Sequence, residues 1–196
     1  MYNIVNGYKH RTKETYFSDL HLKDEWQREV YLMAAAIMAT CNYKSVFDLG
    51  CGSAYKLVHM LGHYETTGSD VEETLQYLRK VYPDRCWVSP QDTVLYHDLV
   101  ICADVIEHVL DPDIICNAIK AVAPKHIIIS TPDRDLYDNP KENHPYYGPP
   151  LAEVHVREWT FAEFRDYMET HFLILDHRVT GANGQPTQTV ICALKS

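Results

Sequence analysis

The sequence has no two cysteines spaced as CxxC, no excess of basic residues, no long apolar run and no low-complexity segment. Each absence excludes something. The six cysteines are Cys41, Cys51, Cys86, Cys102, Cys116 and Cys192, and their spacing rules out a zinc site of the usual pattern. Lys and Arg number 18 against 27 Asp and Glu, a formal net charge of −9. A nucleic-acid binder normally carries a basic face. The nearest approach to one is Lys9, Arg11 and Lys13, which reads as a solvated segment. The longest nearly apolar run, VYLMAAAIMA at 30–39, is too short to span a bilayer. The opening MYNIVNGYKHRTKE lacks the apolar centre of a signal peptide. These features predict a soluble cytoplasmic protein with reduced thiols and no membrane partner. A chain of 196 residues is the size of one domain, able to bury roughly 70% of its unfolded surface.

What is present is an alternation of strands and helices. Trp26, Val30, Met33 and Ile37 recur at helical spacing, so a helix is expected from Asp24, with Trp26 in the core. Strands are expected at Ser45–Leu49, Glu65–Ser69, Arg85–Val88, Leu99–Ala103 and His126–Ile129. Helices are expected at Ala54–Leu61, Glu72–Val81, Asp113–Ala121 and Thr160–Thr170, the last with Thr160 as N-cap and Glu163 as its capping-box partner. Alternation of this kind predicts a parallel sheet covered on both faces. The final strands, Phe172–Val179 and Thr189–Leu194, have no helix between them. A parallel crossover needs a dozen residues or more, so this pair is expected to be antiparallel. Residues 131–157 form a proline-rich loop of the length found in lids and binding loops.

The stretch SVFDLGCGSA at 45–54 carries the chemistry. A buried strand meets Asp48, then Gly50 and Gly52. In an open α/β sheet, ligands sit at the carboxyl ends of the strands near the switch in strand order. Glycines there let the backbone approach a ligand, and the following helix offers free N–H groups. Asp70 ends the second strand, 22 residues after Asp48, where an acid can bind a ribose diol. A dinucleotide fingerprint would require a small third residue, and Tyr55 stands there. Asp48 would repel a pyrophosphate but can accept from an amino group. S-adenosylmethionine (SAM) has an amino group, a carboxylate and a ribose diol, and fits better.

VFDLGCGSA resembles motif I of the class I SAM-dependent methyltransferases, with Ala54 in place of that family's third glycine. TGSDV at 67–71, LVICADVIEHVLDP at 99–112 and HIIISTPD at 126–133 are similar to the family's later motifs, in order and at suitable spacing. The resemblance covers about residues 25–194. It implies a single-domain class I methyltransferase fold of the α/β class over residues 1–196. That fold has a seven-stranded, mostly parallel sheet, a C-terminal antiparallel hairpin and helices on both faces. Residues 1–40 would be an N-terminal cap segment and helix, and 131–157 a substrate-side loop. It implies SAM as cofactor, bound by Asp48, Gly50, Cys51, Gly52, Asp70, Val71, Ala103 and Asp104. Cys51 has no base implied beside it and reads as a packing residue rather than a nucleophile.

The expected reaction is methyl transfer to an oxygen or nitrogen of a small metabolite such as a sugar. A hydroxyl acceptor needs a base. His108 is the first candidate, with Glu107 beside it and His155 facing it across the pocket. No metal ligand is assigned in this reading, and nucleic acid is not expected as a partner. Arg157 is expected either to bind a substrate anion or to pair with Glu153 or Glu158. The N-terminal helix should cross the open side of the cofactor, with Gln27 and Tyr31 near its methionine end and Tyr8, Tyr16 and Phe17 in the lid. An alternative follows from D-x-x-E-H with a later histidine, which is similar to the metal-dependent RNA 3′-terminal ribose 2′-O-methyltransferases. Asp104, Glu107, His108 and His155 would then hold Mn²⁺ or Mg²⁺. A catalytically silent SAM-binding protein is a further alternative.

Overall fold

Strand β1 (Ser45–Leu49) is buried at every position, and it lies third in a seven-stranded sheet. A computed structural model describes residues 2–23, 26–92, 96–136, 146–181 and 187–195. The other strands are β2 (Glu65–Ser69), β3 (Cys86–Val88), β4 (Leu99–Ala103), β5 (His126–Pro132), β6 (Leu173–Thr180) and β7 (Thr187–Ala193). Their order across the sheet is β3-β2-β1-β4-β5-β7-β6. β7 runs antiparallel to both β5 and β6, and every other pairing is parallel. The order reverses between β1 and β4, which places the ligand crevice beyond the ends of these two strands.

Among the described residues five helices cover the two faces: α1 (Arg28–Thr40), α2 (Tyr55–Leu61), α3 (Glu72–Val81), α4 (Pro112–Val122) and α5 (Phe161–His171). The central strands β1, β4 and β5 are largely apolar because both of their faces are buried. Their two-residue alternation divides the core in two. Val46, Leu99, Ile101 and Ile128 pack with Ala34, Met38, Leu57, Leu61, Leu75 and Leu78 of α1, α2 and α3. Phe47, Val100, Cys102, Ile127 and Ile129 pack with Ile115, Ile119, Phe164 and Met168 of α4 and α5. All six cysteines are free thiols, four of them buried. Among the described residues no helix is long and apolar enough to cross a membrane.

Local signals set the helix ends. Pro112 takes the first turn of α4, where its missing N–H costs nothing, and the Asp111 carboxylate accepts from Asp113 N at 3.1 Å. At α5 the capping box is complete: Glu163 N donates to Thr160 Oγ1 at 3.2 Å, and Thr160 N donates to Glu163 Oε2 at 2.9 Å. Three details differ from the sequence reading. Helix α1 starts at Arg28, and Asp24 and Glu25 lie outside the described residues. Trp26 is 38% exposed and lies against Phe17 rather than in the core. Strand β5 runs on to Pro132 because β7 pairs with Ser130, Thr131 and Pro132.

The aperiodic N-terminal segment is an ordered strap across the carboxyl edge of the sheet. Val5 N donates to Glu163 Oε1 at 2.7 Å, and Arg11 N to Val156 O at 2.9 Å. Glu14 Oε1 accepts from Leu110 N at 2.6 Å. The Tyr16 hydroxyl bonds Thr74 Oγ1 at the start of α3, also at 2.6 Å. The strap thus runs from α5, past the turn after β4, to the glycine turn.

Candidate active site

The turn after β1 is bonded across to β2. Gly50 N and Cys51 N donate to Ser69 O at 2.8 and 3.0 Å. Gly50 has φ +77° and Gly52 φ +52°, where a Cβ is strained. A Cβ on Gly50 would lie 2.3 Å from Val105 Cγ2, and one on Gly52 only 2.0 Å from Asp19 Oδ2. Gly50 is therefore required by conformation and by space, and Gly52 by conformation. The Asp70 carboxylate clamps this turn to the start of α3: Oδ2 accepts from Gly52 N at 2.9 Å and Oδ1 from Val71 N at 2.8 Å. Each oxygen keeps a lone pair for a ribose diol.

Asp48 is fully buried. Its Oδ2 accepts from the Tyr31 hydroxyl at 2.7 Å, and its Oδ1 has no partner among the described residues. Burial pushes its pKa up to about 7. A buried carboxylate oxygen without a donor is costly, and an ammonium group would satisfy it. Cys51 is buried, with its thiol pushed well up by burial and its Sγ packed against Gly68. Val71 is 42% exposed at the rim.

At the end of β4, Ala103 O accepts from Gln27 Nε2 at 3.2 Å. Asp104 adopts φ +54° and is tied down by two neighbours. Its Oδ1 accepts from Ser130 Oγ at 2.6 Å, and its Oδ2 from Gln27 Nε2 at 3.2 Å. Gln27 therefore closes the pocket from α1 onto β4.

The next residues form one turn of 3₁₀ helix, Ile106–His108. Glu107 is fully buried. Its Oε2 accepts from Thr131 Oγ1 at 3.1 Å, and its Oε1 has no partner among the described residues. Burial first, and then the Asp104 charge, hold its pKa well above the ordinary range. His108 Nδ1 lies 3.0 Å from Val154 O. A carbonyl only accepts, so Nδ1 carries the proton and Nε2 the lone pair. Burial lowers the His108 pKa to about 4, so the ring is neutral at pH 7. His155 packs edge-on to His108 at 4.9 Å between centroids, and its Nδ1 lies 2.7 Å from Glu158 Oε1. Glu107, His108 and His155 each offer a ligand atom, all within 4.8 Å of one another. Asp104 is not in this group, because its oxygens are held by Ser130 and Gln27.

Two positions depart from the sequence reading. Arg157 makes no ion pair with a glutamate among the described residues. It is buried, and its Nη1 and Nη2 donate to Val109 O and Leu110 O at 2.7 and 2.6 Å, fixing the chain just after His108. Glu158, treated only as a pairing partner for Arg157, instead holds His155. Of the substrate-side loop, residues 137–145, including His144, lie outside the described residues.

The profile of the family described as "Methyltransferase domain" matches residues 18–175. The chain belongs to that family. The methyltransferase shares its fold with solved SAM-dependent enzymes. One is magnesium protoporphyrin IX methyltransferase from Synechocystis PCC 6803 with bound S-adenosylhomocysteine: 17% identity, TM-score 0.64, 94% of this chain and 90% of that one covered. Another is 1,6-didemethyltoxoflavin-N1-methyltransferase from Burkholderia thailandensis, at 17% identity and TM-score 0.61, covering 88% and 82%. A third is the small RNA methyltransferase HEN1, at 18% identity and TM-score 0.60, covering 94% of this chain and 27% of that one. No curated protein sequence matches. The methyltransferase uses SAM as cofactor, and the cradle at Gly50 and Gly52 with the orphaned Asp48 Oδ1 fits that ligand.

The glycine turn gives a direct prediction. Gly50→Ala forces a methyl into Val105 at a positive φ, so the turn must move. SAM affinity is expected to fall at least about tenfold, or about 1.4 kcal/mol, by isothermal titration calorimetry. An unchanged affinity would mean that the turn does not contact the cofactor.

Proposed function

We propose that the protein transfers the SAM methyl group to a hydroxyl oxygen of a small, sugar-like acceptor, at a centre where Glu107, His108 and His155 hold a divalent cation. The observation that carries this reading is the convergence of the three ligand atoms, with each imidazole turned by an acceptor on its Nδ1. An acceptor on the far ring nitrogen commonly orients a metal-bound histidine. The unpartnered Glu107 Oε1 fits a cation as well, since a buried carboxylate with no compensating charge is costly. A mixed carboxylate and imidazole set suits Mn²⁺ among the divalent ions.

SAM supplies an electrophilic methyl on a sulfonium, ready for in-line displacement. A cation would lower the pKa of an acceptor hydroxyl and fix its oxygen. The protein's own part is positioning. Asp48, Gly50, Gly52 and Asp70 bind the donor beyond β1 and β2. Gln27 and Ser130 lock Asp104 between that pocket and the cluster. Arg157 and Val154 hold His108 in place. The strap pairs with residues 147–156 beside the site, through Lys9 N to Tyr147 O at 2.7 Å and Arg11 N to Val156 O at 2.9 Å.

The net charge of −9 opposes a polyanionic substrate. The same ligand cluster favours one second reading, a 3′-terminal ribose of RNA, because a sugar diol and a terminal ribose present similar hydroxyls. Labelled SAM with Mn²⁺ separates them. Transfer to hydroxylated small molecules, and none to an RNA oligonucleotide, is the expected result. Label on the RNA, lost with a 2′-deoxy terminus, would replace the first reading with the second. A cytoplasmic location with reduced thiols accompanies either.

A further inference from the structure

The two histidines of the cluster are held differently. His108 gives its Nδ1 proton to a backbone carbonyl, Val154 O, at 3.0 Å. His155 gives its Nδ1 proton to a carboxylate, Glu158 Oε1, at 2.7 Å. Both partners of this second pair are buried, Glu158 at 1% exposure and His155 at 6%. Buried carboxylates are rare and normally have a reason.

The backbone of Glu158 is fixed from two sides. Its N–H donates to the Tyr8 hydroxyl of the strap at 3.0 Å, and its carbonyl accepts from Arg134 Nη1 at 2.8 Å. Arg134 is itself held by Glu163 Oε2 at 2.7 Å. Trp159, next in the chain, is fully buried and donates to Tyr2 O at 2.9 Å. The framework therefore sets where the Glu158 carboxylate stands, and through it the His155 ring.

We infer that Glu158 is a positioning residue for the cation: it fixes His155 with the proton on Nδ1, turns the Nε2 lone pair toward Glu107 and His108, and strengthens that nitrogen as a ligand. This rests on the cation reading above. A carboxylate on the far nitrogen also makes imidazole a more basic ligand, and loss of such a partner typically weakens metal affinity by about 10–100-fold.

The test reads cation binding without turnover. Mn²⁺ is titrated into the full-length protein, in the absence of SAM and acceptor, and free Mn²⁺ is followed by electron paramagnetic resonance. Glu158→Gln keeps the shape and an acceptor for Nδ1 but loses the charge. Its Mn²⁺ affinity is expected to fall about tenfold or more, while its SAM affinity stays within about twofold of wild type. Wild type that binds Mn²⁺ and a variant that binds it equally well would overturn the role of Glu158 and leave the cation reading standing. Wild type that binds no Mn²⁺ would overturn both. If Glu158→Gln does not fold, ¹⁵N NMR of the cation-free wild type decides. A neutral His155 ring protonated on Nδ1 supports the inference, and one protonated on Nε2 overturns it.

Discussion

Removing divalent cations with EDTA is expected to lower methyl transfer by at least about 100-fold, and Mn²⁺ to restore it. Glu107→Gln gives a loss of the same order that Mn²⁺ does not restore. The cause is the state of Glu107 within the cluster. Its Oε2 is held by Thr131, while its Oε1 faces the two histidines unpartnered. Burial raises its pKa well above the ordinary carboxyl value, so the cation-free site retains a proton that a cation must displace. Mn²⁺ affinity is therefore expected to rise with pH. Glutamine preserves the Thr131 contact but supplies neither charge nor a good ligand, so the fold survives and the cation is lost. SAM binding is expected to stay within about twofold in the same variant, because the donor site is built on β1, β2 and α1. A steady-state assay with labelled SAM, with and without EDTA, checks the activity. Full activity in EDTA would remove the cation from the reaction and return His108 to the role of a metal-free base.

Asp48→Asn is expected to affect stability and cofactor binding in opposite senses. The folded pKa of Asp48 is about 7 against an ordinary value of 3.8. Its protonated form thus favours the fold. That contribution is complete below about pH 4 and is lost as pH rises to about 7. The loss for the ligand-free protein is on the order of 4 kcal/mol. Asparagine carries no proton to lose. The variant's stability should therefore fall less than wild type's between pH 5 and 8, as measured by urea unfolding. Cofactor binding goes the other way. The amino group of SAM is best met by ionised Asp48, so wild-type affinity rises with pH through about 7. Asp48→Asn is expected to lower that affinity at least about tenfold at pH 8 and to flatten its pH dependence. Equal slopes in wild type and variant would mean that another group governs the titration. Glu107 and Asp133 are other buried carboxyl groups whose pKa values are raised, and Asp19, Asp70 and Asp104 are half-buried ones.

Much of the fold is legible in the sequence because its signals are local. Strands buried on both faces are continuously apolar, as LVICA and HIII are. The capping box at Thr160 and Glu163 lies within four residues, and the glycine turn is written in one stretch. The antiparallel end of the sheet follows from a connection too short for a crossover.

The parts that escaped the sequence depend on contacts between distant residues. The strap shows no periodicity because it forms neither helix nor strand. It is fixed by single bonds such as Val5 N to Glu163, 158 residues apart. Arg157 and Glu158 are adjacent and of opposite charge, which suggests a pair. Their side chains go to separate places, Arg157 to two carbonyls after His108 and Glu158 to His155. Trp26 sits on the helical stripe but two residues before α1 begins, so it is not carried into the core. Asp104 occupies the first position of D-x-x-E-H, but its left-handed backbone turns the carboxylate to Ser130 and Gln27. The spacing alone could not exclude it from the ligand set.

The most direct test of the account is an anomalous-difference map from crystals grown with Mn²⁺ and S-adenosylhomocysteine. The account predicts a manganese peak among Glu107, His108 and His155, with the nucleoside's ribose at Asp70 and its amino group at Asp48. A bound nucleoside with no metal peak at these three residues, in crystals containing Mn²⁺, would contradict it.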